Sequence, residues 1–544
     1  MSWRRWRPRT PILVSRGPRG AARSACTTAG PDHEGDGAGV TTGGRQVAER
    51  DEARAQARLT AARLSADGVD AVALTWVDNA GIARVKGIPL SRLVDAAVHG
   101  IGMSPVFDVF LVDDAITTSR HIGGPDGDLR LFPDLDRAVA LAAQPGWAFA
   151  PVDRYAQDGT PHPACQRQFA AAMAARAAEF GVTFRAAFET EWIVQRQAAP
   201  GEPPSYPTDG PAYGLHRLTD LSDYLREVLL ALEAQGLTVQ QIHPEYAPGQ
   251  FEVSVAAADP VAAADDAVLV RTTIRGVSAR HGLRASFAPA FEAGGVGNGG
   301  HLHLSAWQDG HNLMADPAAR DSFLGGVLDE LPALLALGAP SVASFLRLVP
   351  SHWAGVYRCW GVENREAALR VVEAPHLLPR PERPRRPAPG LLDDTIDAAD
   401  TNGEDPTQAL LRDLEESERL RQAEQAAAES GAPANVEVKC FDQSANPYLA
   451  VGGVIAAGLA GMDSGAKLPD PVQGDPALLP PDRRPPRLPA DLGESLAAFR
   501  VSTVLHEALG EVLFEAVAAV RAAEQEAYGA RPPEDVIAAT RWRY

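Results

Sequence analysis

Cysteine is scarce. Cys26, Cys165, Cys359 and Cys440 are the only four in 544 residues. They lie far apart, with neither a CxxC pair nor a zinc spacing. That excludes a disulfide scaffold, a zinc module and a dithiol redox centre, and leaves free thiols in a reducing cytoplasm as the expectation. Long apolar runs are missing too. None reaches the roughly 18 residues of a membrane-spanning helix, so no membrane partner is expected. Surplus positive charge is also lacking. The formal net charge of −19 excludes a dedicated nucleic-acid binder. What is present, 45% hydrophobic and 22% charged residues, is near the globular average. Length alone allows about three domains with ample core.

Two segments differ from the rest. Residues 1–31 hold seven Arg and no acid, and no apolar core follows Arg4 and Arg5. A secretory or twin-arginine signal is thereby excluded, and 1–50 is read as a disordered tail. Residues 374–434 open on "PRPERPRRPAPG" and continue as an acidic stretch, with 7 Arg against 13 acids. Pro and like-charge blocks bury too little surface to offset their ordering entropy, so this segment reads as a disordered insertion. Setting aside the tail's +7 and the insertion's −6 leaves −20 on the remainder. The acidity belongs to the folded part.

Within that part, "VDAVALTWVDNAGIARVKGIPL" (69–90) reads as strand, turn and strand. A small α+β unit is expected over 51–150 and a larger one over 151–544. Amphipathic helices ending at Gly alternate there with strands such as "VTFRAAFETEWIV" (182–194). Strand side chains alternate between faces. Glu189 and Glu191 therefore share one face, as do His301, His303 and Ser305, and Asn435, Glu437 and Lys439. Glu245 and Glu252 lie seven apart across "YAPG". Singly, each pattern is that of a solvated strand face. Together, five Glu and a His facing one cavity could not all stay charged without cations, and two divalent metals would answer that.

The motifs "FETEW", "HPEYAPGQFEVS", "GNGGHLHLS", "ENREAALR" and "VEVKCFDQSANPYLA" occur in one order. In them the chain resembles the glutamine synthetase family, over about 65–373 and 435–544. The resemblance implies an α+β fold: an N-terminal β-grasp domain (51–150), then a catalytic domain (151–544) with a curved antiparallel sheet and helices. It implies a homo-oligomer of hexameric rings. It also implies ATP as co-substrate, two or more Mg2+ or Mn2+ ions, and glutamate and an amine as substrates. Carried over by motif, Glu191, Glu245 and Glu252 hold one metal, and Glu189, His301 and Glu437 the other. His303 and Ser305 lie on the nucleotide and phosphate side. Arg347 grips the α-carboxylate of glutamate, Arg365 and Arg370 face the transferred phosphate, and the backbone at Gly297 meets the amino acid. The implied reaction phosphorylates a carboxylate and lets an amine displace phosphate.

The departures concern the nitrogen donor. Trp353 stands where the family's flap carries a glutamate that helps deprotonate ammonium, unless a realigned loop lets Glu363 substitute. Ser104 stands at the place of the ammonium-binding aspartate. Lys439 and Asn435 replace two arginines, and Lys keeps the charge without the bidentate fork. "GAKLPDPVQGDP" holds no Tyr for adenylylation. The expected function is therefore an ATP-dependent, ADP-forming ligase that uses a larger organic amine, with Trp353 lining its pocket. An ordinary glutamine synthetase and a non-catalytic relative are the alternatives.

Overall fold

A computed structural model describes residues 42–124, 127–197, 205–373 and 433–544. The first helix, Thr42–Ala66, starts ahead of the Asp51 start expected from the sequence. Residues 1–41 of the expected tail, and nearly all of the expected insertion, lie outside the described residues.

The first sheet is built from β1 (Ala71–Val77), β2 (Ala83–Pro89), β3 (Ile101–Met103), β4 (Leu129–Pro133), β5 (Val139–Ala140) and β6 (Trp147–Ala156). Its order is β2-β1-β6-β4-β3, with β5 on β6. Only β1 and β6 run parallel. The expected turn at "DNAG" closes the β1–β2 hairpin. Asp78 Oδ1 accepts the Ala80 and Ile82 N–H groups, and Gly81 takes a positive φ of 79°. Val72, Leu74, Leu131 and Val152 of this sheet form one core with Leu93 and Ala96 of the helix Leu93–His99 and Leu64 of the first helix.

Two further sheets follow. Their strands are β7 (Thr183–Phe188), β8 (Thr190–Arg196), β9 (Val239–Pro244), β10 (Gln250–Val255), β11 (Leu283–Ser286), β12 (Leu302–Gln308), β13 (His311–Asn312), β14 (Tyr357–Val362), β15 (Ala367–Glu373) and β16 (Pro433–Val438). One sheet has the order β11-β8-β10-β9. The other has the order β13-β12-β16-β15-β14, with β7 on β12. Pairing is antiparallel except between β14 and β15. The single strand expected over 182–194 is thus two strands in two sheets, and Glu189 is the joint between them. Its N–H donates to His301 O at 3.0 Å.

Behind the sheets the helix Pro447–Ser464 is buried almost all round. Pro447 suits its first position, and the Asn446 side chain caps it by accepting the Tyr448 and Leu449 N–H groups. It packs on the helix Pro317–Gly338 where Gly326 meets Gly461. A Cβ on Gly326 would lie 2.5 Å from the Gly461 Cα, so a side chain there would force the helices apart. Cys165, Cys359 and Cys440 are buried free thiols, as expected, and Cys26 lies outside the described residues. No described helix is long and apolar enough to cross a membrane.

Candidate active site

Register brings two charged rows together. In one sheet, Glu191 of β8 pairs with Glu252 of β10, which pairs with His243 of β9. In the other, His303 of β12 pairs with Glu437 of β16, which pairs with Arg370 of β15. Glu189 sits where the chain passes between the sheets. Glu245 follows β9, and His301 precedes β12. The rows open on one cavity of about 740 Å³, a volume ordinary for a substrate site. Gly297, Arg347, Trp353, Arg365, Arg370 and Lys439 also line it. Of the residues singled out from sequence, Ser104, Ser305, Glu363 and Asn435 lie off its wall. Ser305 is buried and accepts the Trp307 Nε1–H at 2.9 Å.

Two groups of donor atoms lie close enough to share a cation: His243, Glu245 and Glu252, and Glu189, His303 and Glu437. His243 was missed in the sequence, although its spacing of two from Glu245 on a strand is a signal. Its Nδ1 lies 3.2 Å from Glu245 and its Nε2 3.3 Å from Glu252. Burial opposes its charge, but those carboxylates win and raise its pKa to about 10. Burial also pushes Glu191 up, and repulsion from Glu252 adds to it against Arg347, leaving the carboxyl at about 8. Glu437 goes the other way. Burial would raise it, yet Lys439, at 2.9 Å, and the two histidines hold it at about 2.

His301 is neutral, because burial and Lys439 lower it to about 4. Arg347 Nη2 lies 3.0 Å from its Nε2 and can only donate, so the ring proton sits on Nδ1, 2.8 Å from Glu189. Its Nε2 can serve a metal only after Arg347 turns away. Arg347 is otherwise held by the Phe441 and Lys439 carbonyls. Gly297 permits the close approach: a Cβ there would lie 1.9 Å from Pro289 O and 3.1 Å from the Arg347 Cβ. The donor set, five carboxylates and three imidazoles, has the oxygen-rich chemistry that suits Mg2+ or Mn2+.

An aromatic row flanks the His243 group. The Trp353 ring centroid lies 4.7 Å from that of Tyr246. Tyr246 lies 5.7 Å from Tyr213, which stacks on His243 at 5.2 Å. The Tyr213 hydroxyl donates to Glu245 at 2.6 Å. Ser351 and Trp353 adopt positive φ angles of 60° and 54°, a strained loop that two carboxylates hold in place. Glu366 accepts the Trp353 N–H at 2.8 Å, and Asp475 accepts the Ser351 hydroxyl at 2.6 Å. Glu363, the substitute considered from sequence, is instead paired with Arg370 and accepts the Glu373 N–H.

The model of the glutamine synthetase catalytic domain matches residues 163–385 and 417–538. The model of the glutamine synthetase N-terminal domain matches 57–161. Gamma-glutamylpolyamine synthetase GlnA3 of Streptomyces coelicolor is 51% identical over 90% of this chain and 97% of its own. Glutamine synthetase of Halobacterium salinarum is 28% identical over 87% and 93%. A crystal structure described as a novel glutamine synthase homolog superposes with a TM-score of 0.69 at 30% identity, over 88% of this chain and 99% of that one. The chain therefore belongs to the glutamine synthetase family and is an ATP-dependent ligase of it.

Proposed function

We propose that this ligase joins the γ-carboxyl of glutamate to an organic amine, and that the amine is a polyamine. The observation that carries the reading is the aromatic row: Trp353, Tyr246 and Tyr213 form one wall of a cavity whose floor is carboxylate. Aromatic faces and carboxylates together attract an extended alkylammonium chain. The printed name of the Streptomyces coelicolor relative supports a polyamine over a monoamine.

A carboxylate is a poor electrophile. Its oxygen attacks the γ-phosphorus of ATP, ADP leaves, and the resulting acyl phosphate has a good leaving group. The amine nitrogen then attacks the carbonyl carbon, and phosphate departs. Arg347 orients glutamate through its α-carboxylate, exchanging His301 and the two backbone carbonyls for it. Arg365 has no ion-pair partner among the described residues, and with Arg370 it clamps the phosphoryl group. Two divalent cations, one held among Glu191, Glu245, Glu252 and His243 and one among Glu189, Glu437 and the paired histidines, would neutralise charge on ATP. Trp353 cannot take a proton. It shapes the acceptor pocket and excludes water from the acyl phosphate. The enzyme is proposed to act in the cytoplasm as hexameric rings, which mass measurement of the native assembly would test.

The direct test supplies ATP, Mg2+, glutamate labelled with 18O in its γ-carboxyl, and equal ammonium and putrescine. A γ-glutamyl-putrescine product with one 18O in the released phosphate is expected. Glutamine as the sole product would overturn the acceptor, and unlabelled phosphate would overturn the intermediate.

A further inference from the structure

A second cavity, of about 260 Å³, lies between the β1–β2 hairpin, the helix Pro260–Arg280 and the last residues of the chain. It shares no residue with the active-site cavity. Gly81, Arg271, Thr272, Arg275, Arg543 and Tyr544 are among its lining residues; no Asp or Glu side chain is, and the Tyr544 main-chain carboxyl is engaged by the Phe287 N–H at 3.2 Å. Arg271 and Arg275 are four apart, so they project from the same face of their helix. Arg271 is buried and donates to Gln443 O at 2.6 Å, which leaves its charge uncompensated. Arg275 lies over the Phe287 ring at 4.8 Å. Arg543 has its own partner, Asp114, at 2.9 Å. Neither Arg271 nor Arg275 has a carboxylate partner among the described residues. Burial pulls both down to about 10, and for Arg271 repulsion from Arg275 adds to it.

Two like charges, Arg271 buried and Arg275 half-buried, beside an open space are costly unless something of opposite charge enters it. The space is below the roughly 300–1,000 Å³ of sites for drug-sized ligands, too small for a nucleotide. The flat guanidinium forks match planar or tetrahedral oxygen groups. We propose that this cavity is a binding site for a small, multiply charged oxyanion, separate from the catalytic site. Orthophosphate and a short dicarboxylate share the required chemistry.

The test is thermal unfolding of the full chain in anion-free buffer, then with phosphate, sulfate or malonate. The wild-type midpoint is expected to rise with at least one of them, and the anion that acts best identifies the source. Arg275→Met should lose that rise while keeping amine-dependent turnover, and Arg275→Lys should restore part of it. Arg365→Ala, altered in the active site, should keep the rise. An equal rise in wild type and Arg275→Met would overturn the proposal, as would a rise lost only in Arg365→Ala, or none with any anion. If Arg275→Met broke the assembly while anions left the wild type unchanged, a neighbouring subunit would be the counter-charge, and the proposal would also fail.

Discussion

Glu437 sits between Lys439, Arg370 and two histidines, which hold it in its charged form. Removing it leaves Lys439 buried without its partner and takes a donor from one cation group. Glu437→Ala is expected to lower turnover by several kcal/mol of transition-state stabilisation, at least ~1,000-fold, with the assembly intact by light scattering. Retained activity would refute the metal role. Trp353 governs the acceptor instead. Trp353→Glu removes an aromatic face and adds a carboxylate on the same loop. The ratio of kcat/KM for putrescine to that for ammonium should fall about ten-fold, measured by phosphate release. At this scale most of the site was legible, because Glu189, Glu191, Glu245, Glu252, His301 and Glu437 stand in motifs with strand spacing. Tyr213 was not. It lies in a loop with no periodicity, and its contact with Glu245 spans 32 residues. Glu363 was considered from proximity in sequence, but its pairing with Arg370 follows from the β15 register, which a single sequence does not disclose.

Elements carry the precision of the site. The sequence pattern marked one strand over 182–194 correctly as extended. It could not show that the strand changes sheets at Glu189, since both halves alternate alike. That change of sheet puts Glu189, at the joint, and Glu191, within β8, at one cavity. The β1–β2 hairpin was readable because Asp, Asn and Gly each have a stated task in the turn. The pairing of β15 with β16 sets Glu373 opposite Pro433, so the intervening segment leaves and re-enters at one point. Replacing 374–432 with a turn about ten times shorter should leave Glu437 in register. It should also stabilise the fold by roughly 2 kcal/mol through the smaller closure entropy. Denaturant unfolding and turnover check this, and loss of both would mean the segment supports the sheet.

Across the whole molecule, the last long helix, Thr503–Tyr528, ties distant parts together. Its buried Arg521 donates to Asn79 O of the β1–β2 turn and to Ala336 O of the helix Pro317–Gly338. Glu524, one turn on, accepts the Val112 N–H at 3.0 Å. Burial raises the Glu524 pKa to about 7, against the pull of Arg521. A carboxyl raised on folding binds protons more tightly in the native state. Its contribution is present below the unfolded value and lost as pH rises through about 7. Between about pH 4 and pH 8 the stability of Glu524→Gln should therefore gain about 3 kcal/mol relative to wild type, whatever its starting offset. A difference that does not change with pH would contradict the assignment.

The acidity visible in the sequence has at this scale a partial address, since five of its carboxylates line the active-site cavity. What that cavity accepts decides the enzyme's function. The most direct measurement is kcat/KM for phosphate release with ATP, Mg2+ and glutamate across ammonium, a monoamine, putrescine and spermidine. The polyamines should exceed ammonium by at least ~10-fold. Ammonium matching or surpassing every organic amine would contradict the polyamine acceptor.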